Sequence, residues 1–194
     1  MMKQLFFLIG CIAGVNCNCQ TKSFDYPAEV EKWKTELLLN GEVGPPCTEP
    51  YQKWIEKNPN YYFGLQKIES KMFDFNLDGI KDGLFYFPAV NCVGGNGTGS
   101  DFAILIYSHQ NKLLTNKNIT GTIESKIGIA LNDIGFHEHS PIHVNYKAFG
   151  KTIKGEYMAW TNSDAHVGGS INGTFEYNPV NFSLKIKNQQ EIEK

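Results

Sequence analysis

Oxygen-bearing side chains stand at positions 1, 3, 5 and 9 of one short segment, Asp74-Phe75-Asn76-Leu77-Asp78-Gly79-Ile80-Lys81-Asp82. Calcium takes six to eight hard oxygen ligands, and this spacing lets one tight turn wrap them around an ion. Gly79 holds the sixth position, where the backbone must turn sharply and a Cβ would interfere. Ile80, at the seventh, would ligate through its main-chain carbonyl, so its side chain is at liberty to be apolar. The expected ligand set is Asp74, Asn76, Asp78, the Ile80 carbonyl and Asp82, around a structural Ca2+. A second reading uses the same residues: an ion-free β-turn in which Asp and Asn side chains bond their own backbone amides. Carboxylate repulsion favours the cation, because Lys81 neutralises only part of the charge.

The segment resembles the calcium loops of FG-GAP and VCBS repeats and of dockerins, whose pattern is Asp-x-Asn/Asp-x-Asp-Gly-x-x-Asp. The likeness covers these nine residues in one copy. A propeller needs several copies, so what the resemblance implies is an ion site and not a repeat architecture. It also departs from a full EF-hand, since position 12 is Phe85 where the bidentate glutamate belongs. The missing ligand sets the expected affinity in the range of extracellular modules, about 0.1–1 mM.

His137-Glu138-His139, followed by His143, has the spacing of a transition-metal site. On a strand His137 and His139 would share a face, and Asp164 and His166 supply further ligands if the fold brings them close. The bland reading is a set of solvated loop histidines, because Ser140-Pro141 marks a turn. Gly94-Gly95-Asn96-Gly97-Thr98-Gly99-Ser100-Asp101 lacks the lysine and the following helix of a phosphate loop. It reads as a flexible connection into a strand. The aromatic residues Trp54, Tyr61, Tyr62, Phe63, Phe85, Tyr86 and Phe87 suit either a ligand platform or, more simply, core packing.

An address comes from the first twenty positions. Lys3 and the apolar run Leu5–Val15 form a secretory signal, too short to span a bilayer. Cleavage is expected after Cys19, which puts the signal at 1–19 and a single domain at 20–194. Leu8-Ile9-Gly10-Cys11 offers the alternative of a lipoprotein anchored at Cys11. Removing Cys11, Cys17 and Cys19 leaves Cys47 and Cys92, an even pair in an oxidising compartment. A bond between them contributes about 4 kcal/mol on the chain-entropy account. One calcium-type loop in a short exported chain is similar to small uncharacterised bacterial exported proteins, a likeness that implies no activity.

The elements that must position these residues follow from periodicity. Pro27–Asn40 reads as a helix with Val30, Trp33, Leu37 and Leu38 on one face, stopped by Asn40-Gly41. Thr48 can cap a second helix that buries Tyr51, Trp54 and Ile55. From Leu65 the period becomes two, with strands expected over 65–75, 83–88, 101–108, 142–149, 152–161, 168–177 and 180–187. Residues 122–134 fit a helical face weakened by Gly128. The expected fold is a single α+β domain, an antiparallel β-sheet with N-terminal helices packed on one face.

Composition excludes other classes. The 194 residues are 41% hydrophobic and carry a formal net charge of −2, with lysine supplying every one of the 18 basic side chains. A near-neutral surface without a guanidinium fork argues against nucleic acid as a partner. The leading reading is a secreted or periplasmic non-enzymatic binding protein with a structural calcium loop, its protein or small-molecule ligand unspecified. One alternative is a metal-assisted hydrolase using the His137/His139/His166 cluster. Another is an inhibitor or immunity-type protein that acts through a protein interface.

Overall fold

The computed structural model describes residues 24–47, 63–92, 99–132, 141–160 and 171–191. Its first element is helix α1 (Tyr26–Leu39), which starts where Asp25 accepts the Ala28 N–H and Pro27 occupies the first turn. It stops where the periodicity says it should. Gly41, at φ 69°, bonds back to the Leu38 carbonyl while Glu42 bonds to that of Leu37, a Schellman closure. The face carrying Val30, Trp33 and Leu37 is buried against Phe87, Ile104 and Ile106.

Those three residues belong to a four-stranded antiparallel sheet. Its strands are β2 (Glu69–Phe73), β3 (Asp82–Phe87), β5 (Phe102–His109) and β6 (Lys112–Asn116), in the order β2-β3-β5-β6. A short pair, β1 (Phe63–Gly64) with β4 (Val90–Asn91), flanks it. The central strand β5 is buried on both faces: Ile104 and Ile106 meet α1, while Ala103 and Leu105 meet a second layer. Its unbroken apolar run follows from that position, since alternation marks only strands with one wet face.

The second layer is another sheet, ordered β7-β8-β9-β10, from β7 (Ile142–Phe149), β8 (Ile153–Ala159), β9 (Ile171–Tyr177) and β10 (Leu184–Glu191). Here alternation is clean. Ile153, Gly155, Tyr157 and Ala159 are buried in turn, and Ile171, Gly173, Phe175 and Tyr177 repeat the pattern in β9. Helix α2 (Ile119–Leu131) packs against β5 and against both edge strands of the second sheet, β7 and β10. Its Ile119, Ile123, Ile127 and Leu131 complete the core between the layers.

The α+β class therefore holds, with corrections. The single sheet expected from the strand pattern is two four-stranded sheets plus a short pair. Among the described residues α1 is the one N-terminal helix; α2 falls mid-chain, in a stretch whose periodicity is ambiguous, and it sits in the inter-sheet core instead of beside α1. Gly128 costs it little because four buried aliphatic side chains hold the helix from one side. The helix read from Thr48 lies outside the described residues.

A disulfide joins Cys47 to Cys92, 45 positions apart, as the cysteine arithmetic requires. It ties the segment after α1 to the end of β4. Gly64 lies beneath it, and a Cβ there would run into both sulfurs. Among the described residues no helix is long and apolar enough to cross a membrane.

Candidate functional site

The acidic loop connects β2 to β3, whose closing pair is Phe73 opposite Asp82. Leu77 and Gly79 adopt φ of 60° and 84°, the left-handed turns that the spacing demands. Asp74 accepts the N–H groups of Asp78 and Gly79 at 3.1 and 2.8 Å. Asn76 Oδ1 converges on the same Asp78 amide at 3.2 Å, and its Nδ2 donates to the Ser108 carbonyl at 2.7 Å. Asp78 accepts from the Ile80 N–H at 2.9 Å and from the Ser108 hydroxyl at 2.5 Å. Desolvation is the largest single effect and raises its pKa, yet the hydrogen bonds from Ser108, Ile80 and Asn76 together hold Asp78 below the usual carboxylate range.

Asp82 behaves differently. It is wholly buried, and its two oxygens accept the amides of Phe75 at 3.0 Å and Ser108 at 2.8 Å. Burial raises its pKa despite those bonds. Asp82 thus faces into the fold and braces the loop, whereas Asp74, Asn76 and Asp78 remain on its partly or fully exposed side. Among the described residues no group of three or more His, Cys, Asp or Glu side chains is arranged to hold a metal ion. What fits calcium is the outer set, because a carboxylate oxygen that accepts one N–H keeps a second lone pair. Asp82 does not fit as a direct ligand.

The histidine cluster is only partly visible. His137, His139, Asp164 and His166 lie outside the described residues, as do Trp54, Tyr61 and Tyr62. His143 begins β7, half-buried, with its ring edge-on to Trp160 at 4.6 Å between centroids. Desolvation lowers its pKa, which keeps the imidazole neutral at pH 7. Its Nδ1 is buried and has no partner among the described residues.

His143 borders a cavity of about 430 Å³ that sequence reasoning missed. Trp33 and Leu37 of α1 form one wall, and Phe63 and Phe102 another, their rings edge-on at 6.0 Å. The glycine-rich segment ends here: Gly99, Ser100 and Asp101 line the space, as does Glu124 from the first turns of α2. A smaller cavity of about 220 Å³ shares Ala89, Gly99, Asp101 and His143 with it.

Ser100 and Asp101 bind three elements together at this point. The Asp101 N–H donates to the Val144 carbonyl at 2.9 Å, and its Oδ2 accepts the Tyr146 N–H at 2.9 Å. Thr120 of α2 donates to the Asp101 carbonyl at 2.9 Å. Ser100 Oγ accepts the Val144 N–H at 3.2 Å and donates to the Glu124 carboxylate. Burial pushes the Asp101 carboxyl up to about 6, against the Tyr146 amide and Lys147, which favour its charge. Burial likewise raises Glu124, with the Ser100 hydroxyl opposing. A hydroxyl, two raised carboxyls and a neutral imidazole thus converge on one cavity among apolar side chains.

The local signals for this site are faint. Asp101 stands directly before the apolar run Phe102–Ile106, and Glu124 is the one acid in α2. Neither position is unusual until the fold buries it. Of the proposed aromatic platform, Phe63 lines the cavity, while Tyr86 and Phe87 are core residues. No family model matches the chain, and neither a curated protein nor a solved structure matches it.

Proposed function

We propose that the protein is an exported, non-enzymatic binding protein whose ligand, a small molecule, occupies the cavity between α1, the start of β5, the first turns of α2 and the start of β7. The observation that carries this reading is the cavity itself. Its volume falls within the range of small-molecule sites, and a few polar groups converge inside apolar and aromatic walls. Export is supported by the apolar run Leu5–Val15 and by the Cys47–Cys92 bond, which belongs to an oxidising compartment. The reading includes a structural calcium ion on the β2–β3 loop, held by Asp74, Asn76, Asp78 and the Ile80 carbonyl. Its support is the spacing, together with two carboxylates that no lysine among the described residues pairs with.

The experiment is fragment screening by amide NMR with neutral aromatic and aliphatic compounds. Shifts gathered on Gly99–Ala103, Asn118–Glu124 and Ile142–Val144 are the expected result. Shifts scattered over the surface, or gathered elsewhere, would remove the cavity as the ligand site.

A further inference from the structure

Resting on the cavity reading, we infer that the ligand is a small organic cation, an ammonium group on an apolar body, with its charge seated against Asp101. The first ground is the balance of charge around the space. Among the described residues Glu42, Asp101 and Glu124 line it, whereas the one lysine among them, Lys117, is paired with Glu36 of α1. The site is an anionic pocket whose own cation is already engaged.

The second ground is an unused acceptor. Asp101 is only 5% exposed, and its Oδ2 takes the Tyr146 amide. Its Oδ1 has no hydrogen-bond partner among the described residues, and the residue lines both cavities. A carboxylate oxygen on a cavity wall with no donor among the described residues is open to a ligand, and an ammonium satisfies it better than a hydroxyl does. The neutral His143, with Nδ1 buried and unpartnered, adds a second group on the same cavities that can take a donor.

The third ground is the lining of the remaining wall. Phe63, Phe102 and Trp33 line it with apolar surface that accepts an apolar body, and an aromatic ring face attracts a cation. An anionic ligand meets the opposite: one buried and one half-buried carboxyl, with an imidazole that burial keeps uncharged.

The test uses three probes of one shape: 2-phenylethylamine, 2-phenylethanol and 3-phenylpropanoate, titrated calorimetrically into the full mature chain near neutral pH. The amine should bind at least about tenfold more tightly than the alcohol, the difference expected of one buried charge-assisted hydrogen bond. The carboxylate should bind most weakly. Asp101→Asn retains an acceptor for the Tyr146 amide and should reduce the amine to the affinity of the alcohol. If that variant fails to fold, Glu124→Gln, which keeps an acceptor for Ser100, should weaken the amine and leave the alcohol unchanged. Equal binding of amine and alcohol overturns the inference while the cavity reading survives. Neutral fragments in the cavity with no amine binding overturn it in the same way. An absence of any binder, neutral or charged, overturns both.

Discussion

Asp82 and Ser108 meet inside the first sheet at the point where its ladder ends. The β3–β5 pairing runs to Gly83 opposite Ile106, and beyond it the Asp82 carboxylate accepts the Ser108 N–H at 2.8 Å. Its other oxygen accepts the Phe75 N–H at 3.0 Å, so one side chain replaces a strand partner for two amides. Ser108 passes the connection outward through its hydroxyl to Asp78. The acidic loop is thereby anchored to the core strand β5 and not only to the strands it joins.

Asp82→Ala should cost about 3 kcal/mol of stability. It leaves the buried amides of Phe75 and Ser108 without acceptors, and each unsatisfied group costs about 1–3 kcal/mol. Asp82→Asn retains one acceptor oxygen and should lose roughly half as much. Urea unfolding of the two variants checks this. A loss below about 1 kcal/mol for the alanine variant would mean that water replaces the carboxylate, contrary to its complete burial.

Asp101 predicts a pH dependence with an unusual sign. Its carboxyl is pushed up to about 6 in the folded state by burial, with the Glu69 charge adding to that effect and the Tyr146 amide and Lys147 opposing it. The folded chain therefore holds this proton more tightly than the unfolded one, and between about pH 4 and 6 its contribution to stability grows as pH falls. From pH 7.5 to 4.5 the wild type should gain about 2 kcal/mol relative to Asp101→Asn, which carries no such proton. Denaturant melts of both proteins across that window measure the difference. A constant gap between them would show that the carboxyl titrates normally.

Part of this arrangement was legible locally. Asp25, Pro27 and Asn40-Gly41 mark both ends of α1, and strict alternation marks β8 and β9, because these signals act within a few residues. Strand β6 escaped notice: its hairpin turns on Gln110 and Asn111, at φ 49° and 60°, with no glycine or proline to announce it. The second sheet was hidden for another reason. The run 102–106 says that β5 is buried on both faces but not whether helices or strands cover them. The cavity is the least local feature of all, since Asp101 and Glu124 meet only because α2 packs back across β5 and β7. Polar burial is a tertiary property, and nothing in either residue's neighbourhood encodes it.

The exported chain should begin at Gln20 and contain the Cys47–Cys92 bond. Intact mass and non-reducing peptide maps of protein recovered from the export compartment test both statements. A mass carrying an acyl group on Cys11 would replace the soluble form with an anchored one, and two alkylatable thiols would remove the bond. Gly64→Ala gives an independent probe. The added Cβ would collide with both sulfurs and approach the Pro45 carbonyl to 3.0 Å, so the bond should form incompletely. Stability should then fall by an amount approaching the cross-link's full contribution, about 4 kcal/mol. Full oxidation at wild-type stability would contradict that packing.

Calcium should stabilise the β2–β3 loop from its outer side. The ion would screen Asp74 from Asp78 and bind only the folded turn, so stability rises with its concentration. At roughly 100 times its dissociation constant the contribution is about 2.7 kcal/mol, which corresponds to a melting temperature higher by about 6–10 °C for a chain of this size. Asp78→Ala removes an outer ligand together with the acceptor for Ser108 Oγ, and it should melt at one temperature whether calcium or chelator is present. Ser108→Ala separates the two effects. It removes the hydroxyl donor but no ligand, so it should lower the melting temperature and keep the calcium response. Thermal unfolding of the three proteins in millimolar calcium and in chelator decides the matter. A wild-type chain indifferent to calcium would leave the hydrogen bonds of Asp74, Asn76, Asp78 and Asp82 to hold this turn.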